Sequence, residues 1–95
     1  MLKYSWNEEK NKLLKETRGI GFEQIVEAIN NNQVLAKLEH TNPRKYKNQK
    51  IYVLNINNYA YCVPYVKQKQ VVFFKTIYAS HKYKKKYLKE TIWQK

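Results

Sequence analysis

His40 and His81 are the only side chains of this chain whose unperturbed pKa lies near neutrality. His40 precedes a basic stretch holding Arg44, Tyr46 and Lys47. His81 follows Lys75 and opens a run with Lys82, Tyr83 and Lys85. That inventory suits RNA. A 2′-hydroxyl can attack the adjacent phosphate if a base takes its proton, cations stabilise the crowded phosphorane and an acid protonates the leaving 5′-oxygen. His81 or His40 would move the protons, and Lys75 and Arg44 would hold the scissile phosphate. Lys47, Lys82 and Lys85 would clamp neighbouring phosphates, while Tyr46 or Tyr83 would stack on an unpaired base. Each residue also has a plainer reading. His40 can simply end a strand, His81 can stand by at a helix start, and Lys84, Lys86 and Lys89 suit a solvated helix face.

Missing residue types narrow the chemistry. There is no Asp, and five of the seven acidic residues (Glu8, Glu9, Glu16, Glu23, Glu27) fall in the first thirty positions. A two-metal nuclease needs clustered carboxylates, so metal-free chemistry is expected, with no cofactor. Gly19 and Gly21 are the only glycines, which excludes a glycine-rich phosphate loop. No His/Cys spacing suits zinc. The single cysteine, Cys62, lies inside an apolar run and reads as an inert core residue.

Charge is distributed unevenly. Residues 1–30 balance Lys3, Lys10, Lys12, Lys15 and Arg18 against the five glutamates, so the net charge of +12 lies wholly in residues 31–95. Eight of the nine tyrosines lie there too, from Tyr46 onward. Crowded like charge disfavours a compact state. A polyanionic partner accounts for it, and interleaved cations and aromatics are the footprint of nucleic-acid binding. The longest apolar run, Tyr59 to Val66, is eight residues, too short to span a bilayer. With no apolar leader and one unpaired cysteine, a single cytoplasmic domain with no membrane contact is expected.

These residues must be positioned by regular elements. Tyr4 and Trp6 read as a short strand or extended lead-in. Asn7 can cap a helix over about 8–17, which Gly19 ends. Phe22, Ile25, Val26 and Ile29 fall at i, i+3, i+4, i+7 and predict a second helix, stopped by Asn30, Asn31 and Asn32. The period then becomes two. Strands are predicted over about 33–40, over Ile51–Asn57, over Tyr59–Val66 and over Val71–Tyr78. Thr41 to Asn48 is a loop, and Asn57-Asn58 makes a tight turn. Pro64 calls for a free N–H side or a bulge. Ser80 can cap a final helix over about 81–94, with Tyr83, Tyr87, Leu88 and Ile92 inward. The expected fold is α+β: two N-terminal helices packed on one face of an antiparallel four-stranded sheet, followed by a basic C-terminal helix.

Trp6-Asn7-Glu8-Glu9-Lys10-Asn11-Lys12, together with Arg18-Gly19-Ile20-Gly21-Phe22-Glu23, resembles the opening of the BrnT family of bacterial toxins. Thr76-Ile77-Tyr78-Ala79-Ser80-His81-Lys82 resembles that family's strand-to-helix junction, with His81 where the family usually has Arg. Thr76 stands at another usual cation, beside Lys75, and Arg44 and Tyr46 are the counterparts in the basic loop. The resemblance implies a RelE-like fold and a type II toxin that cleaves RNA. It also implies a cognate antitoxin, often of ribbon-helix-helix type, that covers the basic surface with an acidic segment. Two other readings stay open: a non-catalytic nucleic-acid-binding module, and a gyrase-inhibiting toxin of the same superfold.

Overall fold

Asn7 starts the first helix as its sequence position predicts. Its side-chain oxygen accepts the Lys10 N–H at 3.0 Å, with Glu8 and Glu9 in the first turn, where the helix dipole favours acids. The computed structural model describes residues 2–39, 44–45 and 49–88. The elements run β1 (Lys3–Ser5), α1 (Glu8–Arg18), α2 (Phe22–Asn30), β2 (Val34–Glu39), β3 (Gln49–Ile56), β4 (Tyr59–Gln68), β5 (Val71–Phe74), β6 (Tyr78–Ala79) and α3 (His81–Tyr87). The class is α+β, as expected. Among the described residues no helix is long and apolar enough to cross a membrane.

Gly19 closes α1 in the left-handed region at φ 70°, and the joint to α2 is polar. Asn11 is buried, 2% exposed. Its Oδ1 accepts the Phe22 N–H at 2.7 Å, and its Nδ2 donates to both Glu23 carboxylate oxygens at 3.1 Å. Lys15 pairs with Glu23 at 3.1 Å. Gly21 has no room for a side chain, since a Cβ there would stand 2.8 Å from Asn11 Oδ1. Replacing Asn11 with Ala orphans a buried N–H, and a loss of about 1–3 kcal/mol is expected, read as a lower urea midpoint at unchanged slope. The Asn11 hydrogen bonds are also the main reason the Glu23 carboxyl titrates below its ordinary value. That contribution is present above the unfolded-state pKa and fades as pH falls through the folded one. Asn11→Ala should therefore flatten the acid side of the stability curve.

The sheet departs from the expected four antiparallel strands. Among the described residues it is a six-stranded mixed sheet ordered β1-β5-β4-β3-β2, with β6 also on β4. The lead-in Tyr4 belongs to β1, which pairs in parallel with β5 in the register Tyr4↔Val72. The strand expected over Val71–Tyr78 is broken. Tyr65 pairs with Phe74 and Cys62 with Tyr78, so Val63 and Pro64 face three residues, Lys75 to Ile77. The extra residue is a bulge, placed where Pro64 has no N–H to give. Lys75 N–H still reaches the Pro64 carbonyl at 2.8 Å, and the Arg18 guanidinium donates to the Ile77 carbonyl. Asn57 and Asn58 turn the β3–β4 hairpin with φ of 55° and 64°, as predicted.

Helices cover both faces of the sheet, not one. Leu14, Phe22, Ile25 and Ala28 of α1 and α2 pack on Tyr52, Leu54, Val63, Tyr65, Val72 and Phe74. Tyr83, Tyr87 and Leu88 pack on the other face, over Ile51, Val53, Ala60 and Cys62. The alternation of β3 and β4 is apolar on both sides, so each face needs a cover. A register shift between Val34 and Ala36 turns β2 so that Leu35, Ala36 and Leu38 join the α3 side. The last helix ends at Tyr87 with Leu88 as its C-cap, short of the expected span to residue 94, and residues 89–95 lie outside the described residues.

Candidate nucleic-acid interface

Part of the sheet face that α1 and α2 cover is left open. Lys37 pairs with Tyr52, and Lys50 pairs with Tyr65. Lys67, two residues beyond Tyr65, keeps the same face. With Leu2 these side chains line a cleft of about 470 Å³, to which α1 and α2 contribute no lining residue. Its floor is a stacked pair, Tyr52 and Tyr65, with ring centroids 4.3 Å apart. Lys37 Nζ stands 5.7 Å from the Tyr52 ring centroid. Glu39 shares this face, since its Cα pairs with Lys50, and its Oε2 lies 3.8 Å from Lys50 Nζ. Among the described residues no carboxylate pairs with Lys37 or Lys67.

Burial, with repulsion from the Tyr65 and Tyr4 phenols second, pushes the Tyr52 hydroxyl up to about 12. Tyr65 is raised too, by burial first and then by the Glu39 charge. Both phenols therefore stay protonated at neutral pH and act as donors. Their rings are 3% and 6% exposed, so they form a floor and are not open stacking platforms. The cleft offers three ammonium groups and two phenol donors, and the exposed Glu39 carboxylate stands beside it, next to Lys50. Cations and donors of this kind bind phosphate oxygens, and the carboxylate can accept a proton.

The residues predicted from sequence are dispersed. His81, Lys82 and Lys85 are exposed on α3, on the opposite face of the sheet. Ser80 caps this helix by accepting the Tyr83 N–H at 3.2 Å. Tyr83 is half-buried against the sheet, 5.9 Å from the Tyr87 ring, with Lys82 Nζ 5.5 Å from its own centroid. Lys75 is level with Pro64 on β4, whereas Ser80, just before His81, is level with Ala60. Four strand residues separate those levels, roughly 13 Å. Lys75 leans over Phe73 at 5.4 Å, beside an apolar shelf of Val66, Val71 and Phe73. Arg44 is exposed in a turn between β2 and β3, where Glu39 pairs with Lys50. That is the far end of β3 from the Asn57-Asn58 hairpin, next to which α3 begins. His40, Tyr46 and Lys47 lie outside the described residues. One phosphate cannot touch Arg44, Lys75 and His81 together in this register.

The cleft residues Lys37, Lys50, Tyr52, Tyr65 and Lys67, and Glu39 beside them, were not singled out by sequence reasoning. A signal existed: Lys37-x-Glu39, Lys50-x-Tyr52 and Tyr65-x-Lys67 each repeat at the strand period. Only the strand register shows that the three repeats share one face. Cys62 is fully buried between the sheet and α3, and burial raises its thiol pKa, which suits a packing residue. Among the described residues no three His, Cys, Asp or Glu side chains come together. Compared with protein families, curated proteins and solved structures, the chain matches none.

Proposed function

We propose that this protein is a cytoplasmic toxin of RelE-like fold that binds RNA in the lysine cleft and cleaves it without a metal. The observation that carries the reading is the convergence of Lys37, Lys50 and Lys67 on one open sheet face, with Glu39 on its rim. The order of elements, two helices after a first strand and then a meander leading to a basic helix, supports the fold assignment. In the reaction the RNA 2′-hydroxyl gives its proton to Glu39 and its oxygen bonds to phosphorus. The lysines hold the phosphorane charge. The bond to the 5′-oxygen breaks, and that oxygen takes a proton from a lysine or tyrosine donor of the cleft. The products are a 2′,3′-cyclic phosphate and a 5′-hydroxyl. An antitoxin with an acidic segment would complement the +12 charge and cover this face.

A second reading, binding without cleavage, is favoured by two observations: among the described residues the carboxylate beside the cleft, Glu39, is exposed, and His81 lies on the other face. Controlled expression in a bacterial host separates the two. Growth arrest with new RNA ends in primer extension is the expected result. Normal growth with intact RNA would reject the toxin reading and leave the binding module.

A further inference from the structure

Lys37, Lys50 and Lys67 stand in a line. Lys37 lies opposite Tyr52 on β3, and Lys50 is two residues before Tyr52. Lys50 lies opposite Tyr65 on β4, and Lys67 is two residues after Tyr65. Each step therefore crosses one strand and moves two residues along it, always in the same direction. With strands about 4.8 Å apart and about 3.4 Å per residue, successive lysine Cα atoms are roughly 8 Å apart. The row runs diagonally over β2, β3 and β4, from the outer edge strand to the strand beside β5. Flexible four-carbon stems let each ammonium adjust along this line.

From this geometry we infer that the cleft is a track for one single strand, which lies diagonally across the sheet with successive phosphates on Lys37, Lys50 and Lys67. This rests on the proposed RNA reading and adds the form and direction of the ligand. Two features favour a single strand over a duplex. The cations form one row, so a second phosphate backbone would find no matching line among the cleft residues. α1 and α2 share the apolar cluster of Tyr52 and Tyr65 and rise about a helix diameter, some 10 Å, above the same sheet face. A stiff duplex would rest on those helices, while a single strand bends down to the floor. The Tyr52 and Tyr65 rings are covered, so the track grips backbone and is indifferent to base identity.

The test is salt-dependent binding of a fluorescent 2′-O-methyl oligoribonucleotide, read by anisotropy. The 2′-O-methyl group removes the attacking hydroxyl, so binding is read whether or not the protein cleaves. Each single-strand phosphate contact contributes about 0.7 to the slope of log K against log salt. Lys37→Gln, Lys50→Gln and Lys67→Gln should each lower the slope by about 0.7, and the triple variant by about 2. The triple Lys82→Gln, Lys85→Gln, Lys86→Gln on α3 should leave it nearly unchanged, and a matched duplex should bind more weakly. Circular dichroism checks that both triples fold. A slope that falls with the α3 variant and not with the cleft variant would overturn the track. So would a duplex that binds as tightly as the single strand. Cleft-dependent slopes with no cleavage of natural RNA would uphold the track and reject the ribonuclease.

Discussion

Phe74→Ala is expected to destabilise the domain by about 3–5 kcal/mol, the range for truncating a fully buried aromatic. Phe74 is 1% exposed and joins four elements. Its ring centroid lies 5.4 Å from Tyr4 on β1, 5.8 Å from Phe22 on α2 and 6.2 Å from Trp6, all in stacked arrangements. Tyr52 on β3 meets it edge-on at 6.4 Å. Removing the ring takes away all of these contacts and leaves a void in the cluster. Domains of this size are stable by only about 5–15 kcal/mol, so most of the margin is at stake. A fall in Tm of at least about 12 °C is expected. Phe73→Ala, on the other face and only half-buried, should cost far less. If both substitutions shifted Tm equally, the ring cluster would not be the centre of the core.

Glu39→Gln is expected to slow RNA cleavage by about 10²–10⁴, the usual weight of a general base. The substitution is nearly isosteric. It removes one exposed ion pair with Lys50, worth about 0–1 kcal/mol, so the fold is not at risk. Binding of the 2′-O-methyl strand should hold or tighten, since a negative charge leaves the track. A variant that binds and does not cleave is the mark of a proton-transfer residue. His81→Ala should cleave like the parent, because α3 and the cleft lie on opposite faces of the sheet. The reverse pattern, with His81→Ala inactive and Glu39→Gln active, would move the proton transfer to α3.

Much of the local structure was legible from short-range rules. Asn7 and Gly19 bound α1, the 3.6-residue spacing of Phe22 and Ile25 marks α2, and Asn57-Asn58 marks the hairpin, because each of these is decided within a few residues. The sheet's shape was not, because it depends on pairings distant in sequence. Tyr4 finds Val72 across most of the chain, and nothing local to Tyr4 states that the pairing is parallel. The break between β5 and β6 comes from Pro64 on a neighbouring strand. The side of the sheet that α3 takes follows from Ala60 and Cys62 presenting a second apolar face. The cleft is hidden for the same reason. Histidines and lysine runs are conspicuous in a sequence, while Lys37, Lys50 and Lys67 look ordinary until three registers align them.

The most direct test of RNA chemistry at the cleft is incubation of the purified chain with single-stranded RNA in excess EDTA, with the new ends mapped chemically. The predicted result is cleavage that leaves 2′,3′-cyclic phosphates and 5′-hydroxyls, lost in Glu39→Gln and sharply reduced in the Lys37, Lys50, Lys67 triple variant. Intact RNA, or cleavage indifferent to those four residues, would contradict it.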